Sequence, residues 1–387
     1  MQIAILGRQP SISLAELESL FGSNKITQLS SNVATVDITT SLPQSRLGGT
    51  IKSGHIVHRL KSHSIDDAYE YIKSNIVQWT DTYVPSGKVK LGISIYGAKY
   101  SNKTMFNNNL DIKKILKSSG RSVRIIENRQ ESLNAAQVLN NKLQRQGLEI
   151  IIIKHTSGII LAKTTGVQDI DAYAKRDQGR PMRDAKIGML PPKLAQIIIN
   201  LAKPKNNASI LDPFCGTGVL LQEAMLMGYS VFGTDINPRM IEYSSDNLAW
   251  LVKNYDIQKS IYDLSIGDAT SASWRPIPDT IACETYLGDP LTSLPNRQKF
   301  DKIISQCDQI HHQFLKNLSR QIKPKARLCL AVPAWKTKNS FLHLKTLDYL
   351  EELGYTRISF VHAKQSDLIY HRPDQTVARE LVVLEKR

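Results

Sequence analysis

The sequence has few cysteines, and none of them are spaced as a metal-binding or redox pair would be. Four occur among 387 residues, and no two stand in a Cys-x-x-Cys pattern. A disulfide framework or a zinc site of the usual spacing is therefore not expected. Free thiols suit a reducing compartment, so the cytoplasm is the predicted location. His311 and His312 have no evident partners for a metal, and we expect them on a surface helix.

Long apolar runs are also missing. No segment approaches the roughly 18 apolar residues of a membrane-spanning helix. The first residues, Met-Gln-Ile-Ala-Ile-Leu-Gly, have no charged stretch followed by a long apolar one. We therefore expect neither a signal peptide nor a membrane partner.

Two common nucleotide-binding patterns are missing as well. Residues 211–218 read Leu-Asp-Pro-Phe-Cys-Gly-Thr-Gly. No Lys-Ser or Lys-Thr pair follows, so this is not a P-loop, and the spacing differs from the Gly-x-Gly-x-x-Gly of dinucleotide enzymes. An apolar run precedes the turn and a helical pattern, 219–227, follows it. A strand, a glycine turn and a helix in this order are typical of α/β folds that bind nucleotide-like cofactors, and Gly216 and Gly218 leave room for a ligand.

Two further acids follow apolar strands at helix-length intervals. Residues 231–235 form a predicted strand that ends in Asp235, and residues 264–266 lead to Asp268. An acid at the end of the second strand can accept both hydroxyls of a ribose. A single aspartate after a strand is weak evidence, whereas three in register, Asp212 included, strongly indicate a cofactor site.

The glycine turn resembles the first motif of the S-adenosylmethionine (SAM) dependent methyltransferases that modify nucleic-acid bases. The resemblance implies SAM as the cofactor and a hydrogen bond from its adenine amino group to Asp268. Asp212 is expected to pair with the methionine amino group, and the N–H groups at the start of the next helix suit the carboxylate. The predicted cofactor contacts are Asp212, Phe214, Gly216, Gly218, Asp235, Ile236, Asp268 and Ala269.

The segment that should hold the methyl acceptor departs from the usual pattern. Base amino-methyltransferases usually carry Asp/Asn-Pro-Pro-Tyr/Phe after the fourth strand, where polar oxygens accept the amine N–H bonds and the ring stacks on the base. Residues 283–291 instead begin Cys-Glu-Thr-Tyr-Leu-Gly. Glu-x-Tyr-Leu-Gly resembles a variant in some tRNA guanine-N2-methyltransferases, which implies that Glu284 accepts the amine and Tyr286 positions the base. The alternative is that Glu284 caps a helix and Tyr286 only packs.

Positive charge is concentrated in the half without these motifs. Residues 1–190 hold 26 Lys/Arg and 15 Asp/Glu, whereas residues 191–387 hold 24 and 20. Such an excess indicates a polyanionic partner. The element pattern resembles a ferredoxin-like domain at 1–80 followed by a THUMP domain at 81–167, the module with which tRNA-modifying enzymes hold the 3′ end of tRNA. The expected RNA contacts here are Lys113, Lys114, Lys117, Arg121 and Arg124.

A charged linker, 168–190, joins this half to the predicted catalytic domain, 191–387. It contains Arg-Asp-Gln-Gly-Arg-Pro-Met-Arg-Asp and runs into Gly-Met-Leu-Pro-Pro-Lys-Leu-Ala. The segment resembles the connection between the THUMP and catalytic domains of the tRNA guanosine-10 N2-methyltransferase family, and residues 370–375 resemble that family again. Further RNA contacts are expected from Arg180, Arg183 and Arg372.

The predicted fold is α/β, with a Rossmann-like SAM-dependent methyltransferase sheet after the α+β ferredoxin-like and THUMP domains. Hydrophobic patterning predicts strands at 279–283, 327–332, 357–362 and 378–384, and helices at 132–146 and 341–353. Ser13–Glu16 reads as a capping box that begins a short helix, and residues 149–154 and 158–163 read as a hairpin.

The sequence thus predicts SAM-dependent methylation of a guanine N2 amine in tRNA, with position 10 favoured. Two alternatives stay open: an RNA-binding THUMP protein with a degenerate catalytic site, and an amino-methyltransferase that acts on another RNA or DNA base. A THUMP-containing thiolation enzyme is excluded because no Ser-Gly-Gly motif for ATP is present. A monomer is favoured, and the need for a small activating subunit is left open.

Overall fold

The computed structural model describes residues 1–128, 130–184, 189–257, 261–289, 291, 295–338, 340–372 and 375–387. Residues 185–188 of the predicted linker, 290 of the acceptor segment and 373–374 of the segment before the last strand lie outside these ranges. The chain divides into two compact units. The first is Met1–Pro10 with Phe21–Ala172, and the second is Ser11–Leu20 with Tyr173–Arg387.

The elements up to residue 178 are, in chain order, β1 (Gln2–Leu6), α1 (Pro10–Phe21), β2 (Ile26–Ser30), β3 (Val33–Val36), β4 (Thr50–Leu60), α2 (Ile65–Tyr83), β5 (Val89–Tyr96), α3 (Asn102–Ser118), β6 (Val123–Ile125), α4 (Ala135–Asn140), β7 (Leu148–His155), β8 (Gly158–Val167) and α5 (Ile170–Gln178). Their strands form one eight-stranded sheet in the order β2-β3-β1-β4-β8-β7-β5-β6. The predicted hairpin is present, because β7 and β8 pair antiparallel.

Strands from both predicted N-terminal domains share this sheet, since β4 pairs antiparallel with β8. A buried ion pair lies across the sheet: Lys52 Nζ is 2.6 Å from Glu149 Oε1, and both side chains are almost fully buried. Ser94 and Thr164 also donate hydrogen bonds to Glu149. The division at residue 80 therefore stays a prediction, and in the structure the two segments have a common interior.

Helix α1 differs from its prediction in both start and surroundings. It begins at Pro10, not at the expected capping box, because proline suits the first helical position, where no N–H is needed. Ser11–Leu20 also groups with the second unit. There Asn200 Nδ2 donates to Glu16 Oε1 (2.8 Å), and Ser19 Oγ donates to the Asn200 carbonyl (2.9 Å).

The helix predicted at 132–146 is shorter than expected. Asn134 caps it through a reciprocal pair of hydrogen bonds with Gln137, and only Ala135–Asn140 is helical. Lys142 has a φ of 55°, in the left-handed region. A right-handed helix cannot continue through such a residue, and turns follow instead.

The second unit continues with α6 (Pro192–Ala202), β9 (Ser209–Asp212), α7 (Val219–Leu226), β10 (Ser230–Asp235), α8 (Pro238–Asn254), β11 (Tyr262–Ile266), β12 (Thr280–Glu284), α9 (Arg297–Ser319), β13 (Arg327–Lys336), β14 (Phe341–Leu342), β15 (Tyr355–Arg357), β16 (Ile369–Tyr370) and β17 (Val377–Lys386). The main sheet order is β11-β10-β9-β12-β13-β17-β15. Strands β9 to β13 are parallel, and β17 runs antiparallel to β13. The Rossmann-like prediction is confirmed.

The helix predicted at 341–353 is wrong. Phe341–Leu342 forms β14 against β13, and a 3-10 turn occupies Lys345–Tyr349. The apolar spacing that suggested a helix serves burial instead, since Leu344 and Leu350 lie in the core. The backbone N–H of Thr346 donates to Asp308 Oδ1 (2.8 Å), a bond that anchors the turn to α9. The strand predicted at 357–362 is also displaced, to Tyr355–Arg357.

Part of the predicted linker is helical. Residues Ile170–Gln178 form α5, and Arg176 is buried in an ion pair with Glu223 of α7, with Nε 2.6 Å from Oε1. From Tyr173 onward the segment groups with the second unit. No helix in the described ranges is long and apolar enough to cross a lipid bilayer.

Candidate active site

The three predicted cofactor acids lie along one edge of the second sheet. Asp212 ends β9, Asp235 ends β10, and Asp268 comes two residues after β11. These strands are parallel neighbours, so their carboxyl ends meet. The chain order reverses between β9 and β12, and ligands of open α/β sheets bind at such a switch point. Glu284 ends β12, on the other side of this point.

The glycine turn is shaped by its two glycines. Gly216 and Gly218 have φ values of 50° and 78°, in the left-handed region that favours glycine. A Cβ on Gly218 would lie 2.9 Å from Ser244 Oγ, whereas one on Gly216 would meet nothing within 4 Å. The open space beside Gly216 is where a ligand can approach the backbone closely.

Asp235, the last residue of β10, is hydrogen-bonded to the glycine turn. Its Oδ2 accepts the backbone N–H of Gly216 (2.9 Å), and its Oδ1 accepts that of Asn237 (2.9 Å). Burial raises the pKa of Asp235, and these two bonds oppose the shift. A carboxylate has about four lone-pair positions, so two remain for further donors such as ribose hydroxyls.

Asp212 is the most strongly perturbed acid of the edge. It is 3% exposed, and its Oδ1 accepts the backbone N–H of Phe214 (3.1 Å). Burial raises the pKa of Asp212 well above its usual value, and the nearby charges of Asp235 and Glu284 raise it further. Among the described residues Asp212 has no cationic side chain as a partner. A cation bound here would relieve both the burial and the repulsion.

The other predicted contacts occupy the same edge. Ile236 is 67% exposed beside the end of β10, a surface on which an adenine ring can pack. Asp268 Oδ1 accepts the N–H and the hydroxyl of Thr270 (2.9 and 2.7 Å). Ala269 is buried, and the ring of Phe214 is half-buried, edge-on to that of Phe314 at 5.0 Å.

Glu284 has a partner that the sequence analysis missed. Its Oε1 accepts a hydrogen bond from Arg379 Nε, and the two side chains form an ion pair. Arg379 lies on β17 and is 6% exposed. The signal was present in the sequence, because charged residues inside an apolar strand need buried partners. Arg379 fixes one oxygen of Glu284, which leaves the other for a substrate.

Thr285 and His311 hold the acceptor segment from behind. His311 Nδ1–H donates to the Cys307 carbonyl, and Nε2 accepts from Thr285 Oγ1, both at 2.6 Å. Burial lowers the pKa of His311 to about 4, so the ring is neutral at physiological pH. The expectation of a surface position is wrong for His311, which is 1% exposed on α9. Tyr286 is half-buried, and burial raises its pKa.

The Glu284–Arg379 pair gives a testable expectation. Arg379→Gln should slow the predicted methyl transfer by about 10- to 100-fold, since a hydrogen bond to a charged group contributes roughly 1.5–3 kcal/mol. Cofactor affinity should stay within about twofold, because Arg379 acts through Glu284, and Arg379→Lys should restore part of the rate. The measurement is single-turnover transfer beside cofactor titration.

Arg357→Gln is the matched control. It breaks a neighbouring ion pair, in which Arg357 Nη2 lies 2.6 Å from Glu380 Oε1, without touching Glu284. Equal rate losses in the Arg357 and Arg379 variants would refute a specific role for Arg379.

The side chains predicted to contact RNA in the first unit differ in their exposure and in their partners. Lys117 and Arg124 are exposed, Lys113 is half-exposed, and Lys114 is exposed with Asp111 Oδ1 3.1 Å from its Nζ. Arg121 instead donates to Asp81 Oδ1 (2.6 Å) and to the Val84 carbonyl. That placement gives Arg121 a role within the fold and does not support the expected phosphate contact.

The side chains predicted to contact RNA in the second unit also differ in their exposure. Arg183 and Arg372 are exposed, whereas Arg180 is 2% exposed and cannot meet an RNA backbone at the surface. Next to Arg372, His371 lines a pocket of about 460 Å³. Lys336 and Lys338, which the sequence analysis did not single out, line it too. Lys336 ends β13, so this basic pocket lies toward the same carboxyl edge as Glu284.

Two family comparisons match the chain. Residues 180–356 match the UPF0020 family, described as "RMKL-like, methyltransferase domain", and residues 93–246 match N6_N4_Mtase, described as "DNA methylase". The first match contains the glycine turn and Glu284. Within the described ranges, no cluster of three or more His, Cys, Asp or Glu side chains could hold a metal.

Similar curated proteins carry tRNA methyltransferase names. The chain is 29% identical over 157 residues to the tRNA (guanine(10)-N2)-dimethyltransferase of Methanothermobacter thermautotrophicus, covering 40% of this chain and 42% of that one. It is 28% identical over 199 residues to the enzyme of the same name from Pyrococcus abyssi, covering 51% and 50%. It is 33% identical over 142 residues to the tRNA (guanine(10)-N(2))-methyltransferase TRMT11 of Bos taurus, covering 30% and 29%. The matched stretches thus span about half or less of these relatives.

Among solved structures, TrmN from Thermus thermophilus is similar along its length. The TM-score is 0.54 at 14% sequence identity, with coverage of 100% of this chain and 99% of that one. At this identity the likeness shows the fold alone.

Proposed function

We propose that this protein transfers a methyl group from SAM to the exocyclic N2 amine of a guanine in tRNA, with position 10 as the target. The observation that carries the proposal is the adjacency of Asp212 and Glu284 on paired strands at the switch point of the sheet. The position rests on the names of the relatives, which specify guanine 10.

The sheet edge that carries Asp212, Asp235 and Asp268 fits SAM in charge and in shape. Asp212 is buried and has no cationic partner in the described part of the chain, which suits the methionine ammonium. The spare lone pairs of Asp235 suit the ribose hydroxyls. The open space at Gly216 admits a ligand beside the backbone. When bound, SAM supplies an electrophilic methyl group on a positively charged sulfur.

Glu284 orients the acceptor amine. The N2 lone pair of guanine is delocalised into the ring, so the amine is a weak nucleophile. The Glu284 oxygen left free by Arg379 accepts an amine N–H, and Tyr286 positions the base. The N–C bond forms as the S–C bond breaks, and the proton then leaves N2 for Glu284 or water. Orientation of this kind corresponds to effective molarities of roughly 10⁵ M or more in good cases.

The first unit is proposed to bind the tRNA. Support comes from the net positive charge of residues 1–190 and from the exposed Lys117 and Arg124. The assignments of residues 1–80 as ferredoxin-like and 81–167 as THUMP belong to this proposal. A guanine in a paired stem must be exposed before transfer, at a cost of a few kcal/mol. The proposed location is the cytoplasm, supported by four free cysteines.

Salt dependence tests the RNA half of the proposal. With about six phosphate contacts, tRNA affinity should fall roughly 10³-fold between 50 and 200 mM salt. Lys117→Ala should reduce the slope of log affinity against log salt by about one. Lys323→Ala should not, because Lys323 lies near Asp279 at the amino ends of the strands. A flat salt response would refute phosphate binding as the source of affinity.

The proposed activity is tested with labelled SAM, unmodified tRNA and duplex DNA of matched base composition. Label should enter tRNA and not DNA. Binding of tRNA and SAM without transfer would instead identify an RNA-binding protein with a degenerate site, and labelled DNA would identify a different amino-methyltransferase.

A further inference from the structure

Arg180 is a buried arginine with no hydrogen-bond partner among the described residues. Its side chain is 2% exposed, and Nε, Nη1 and Nη2 make no hydrogen bond within the described part of the chain. A guanidinium carries five N–H donors and does not lose its charge in proteins. A buried charge without a partner is costly, which indicates that the position is kept for an anion.

Two neighbouring acids, Glu223 and Asp184, are engaged elsewhere. Glu223 Oε1 accepts from Arg176 Nε (2.6 Å), and its Oε2 accepts from Arg176 Nη2 (3.2 Å) and Gln196 Nε2 (2.9 Å). Asp184, four residues after Arg180, pairs with Arg239. Asp177 and Glu223 act on Arg180 only through their charge, while burial lowers its pKa.

The segment that carries Arg180 is fastened to the glycine turn. The backbone N–H of Met182 donates to Asn247 Oδ1 (3.0 Å), and Asn247 Nδ2 donates back to the Met182 carbonyl (3.0 Å). The same Nδ2 donates to the carbonyl of Thr217 (2.8 Å), inside the turn. Arg180 is therefore two residues from a point that is bridged to the turn by a single side chain.

We propose that Arg180 binds the α-carboxylate of SAM. This inference rests on the proposed function, and it adds a cationic side chain to the backbone N–H groups at the start of α7. The methionine end of the cofactor belongs at the glycine turn, with its ammonium at Asp212. A buried arginine two residues from Met182, which Asn247 bridges to that turn, is the complementary group. Guanidinium and carboxylate match in a bidentate geometry. At 2% exposure the Arg180 side chain lies away from the outer surface, where an RNA backbone would lie.

The test compares SAM with decarboxylated SAM, which keeps the amine, the sulfonium and the nucleoside. The wild-type protein should bind SAM at least about tenfold more tightly, as expected for a charge-assisted hydrogen bond. In Arg180→Met, SAM affinity should fall about 10- to 100-fold while the affinity for the decarboxylated compound stays unchanged. Arg180→Lys should keep part of the preference, and Lys175→Met, an exposed cation on α5, should keep all of it.

Stability without cofactor gives a second measurement. Arg180→Met removes a buried charge that has no hydrogen-bond partner in the described ranges. Its urea midpoint in the absence of SAM should therefore equal or exceed that of the wild type. Only the midpoint shift caused by SAM should shrink.

The inference would be overturned if Arg180→Met lost affinity equally for both compounds or kept the wild-type preference for SAM. A urea midpoint below that of the wild type without cofactor, or a loss of tRNA affinity in the cofactor-free variant, would also overturn it. A wild-type protein that binds neither compound would refute the proposed function itself. A wild-type protein that binds both equally would refute the inference alone.

Discussion

Replacing Glu284 by glutamine should lower the rate of methyl transfer by about 10²- to 10⁴-fold, the range typical of a positioned acid or base. Glutamine keeps the length of the side chain and an accepting oxygen, but it loses the negative charge that favours the amine N–H and receives the proton. It also breaks the ion pair with Arg379. The affinity for SAM should change little or rise slightly, because one of the charges that repel Asp212 is removed. Single-turnover transfer and cofactor titration measure the two effects separately.

Asp279→Asn is the matched control for Glu284→Gln. Asp279 precedes β12, at the end of the strand opposite Glu284, and its Oδ2 accepts the backbone N–H of Ser209 (2.9 Å). Its replacement should leave the transfer rate within about twofold, as a surface change away from the site. If Glu284→Gln also kept full activity, the acceptor assignment would be incorrect.

Asp212→Asn should weaken SAM binding by about 10- to 100-fold or more, since the charge-assisted bond to the methionine ammonium is lost. The same change should stabilise the cofactor-free protein at neutral pH. Asp212 is buried, its pKa is raised by burial, and Asp235 and Glu284 repel its charge. Asparagine keeps the shape and an oxygen for the N–H of Phe214 without the charge. Urea unfolding with and without SAM measures both effects.

The pKa of Asp212 is raised in the folded protein, and the direction of that shift sets how its effect on stability depends on pH. The folded protein holds a proton on Asp212 at pH values where the unfolded chain has released it. Wild-type stability therefore declines relative to Asp212→Asn as pH rises from the usual value of 3.8 through the raised pKa. Asp279 should behave oppositely, because the backbone N–H of Ser209 lowers its pKa. Its contribution is present above 3.8 and is lost as pH falls through the lowered value. If Asp212→Asn and Asp279→Asn changed stability relative to the wild type in the same direction as pH rises, this account would be contradicted.

The placement of three acids at one edge of the sheet could be predicted because its information is local. Each strand–acid unit repeats within a few residues, and parallel neighbours bring the three strand ends together without further information. The glycine turn is predictable for the same reason, since the left-handed conformations of Gly216 and Gly218 restrict the residue type. These features needed no knowledge of distant contacts.

Distant contacts account for what the sequence analysis missed. Arg379 lies 95 residues from Glu284, and only the antiparallel placement of β17 against β13 brings it near. The apolar spacing at 341–353 fits a helix, yet the bond from Thr346 to Asp308 favours a turn. The position of Ser11–Leu20 in the second unit depends on partners such as Asn200, far along the chain.

The most direct test of the central claim uses two tRNA molecules that differ by one amino group. One carries guanine at position 10, and the other carries hypoxanthine, which lacks the N2 amine but keeps the rest of the ring. After incubation with SAM, mass spectrometry of the nucleosides should detect N2-methylated guanosine at position 10 in the first tRNA and no methylation there in the second. Equal methylation of both, or a methyl group only on another base, would contradict the account.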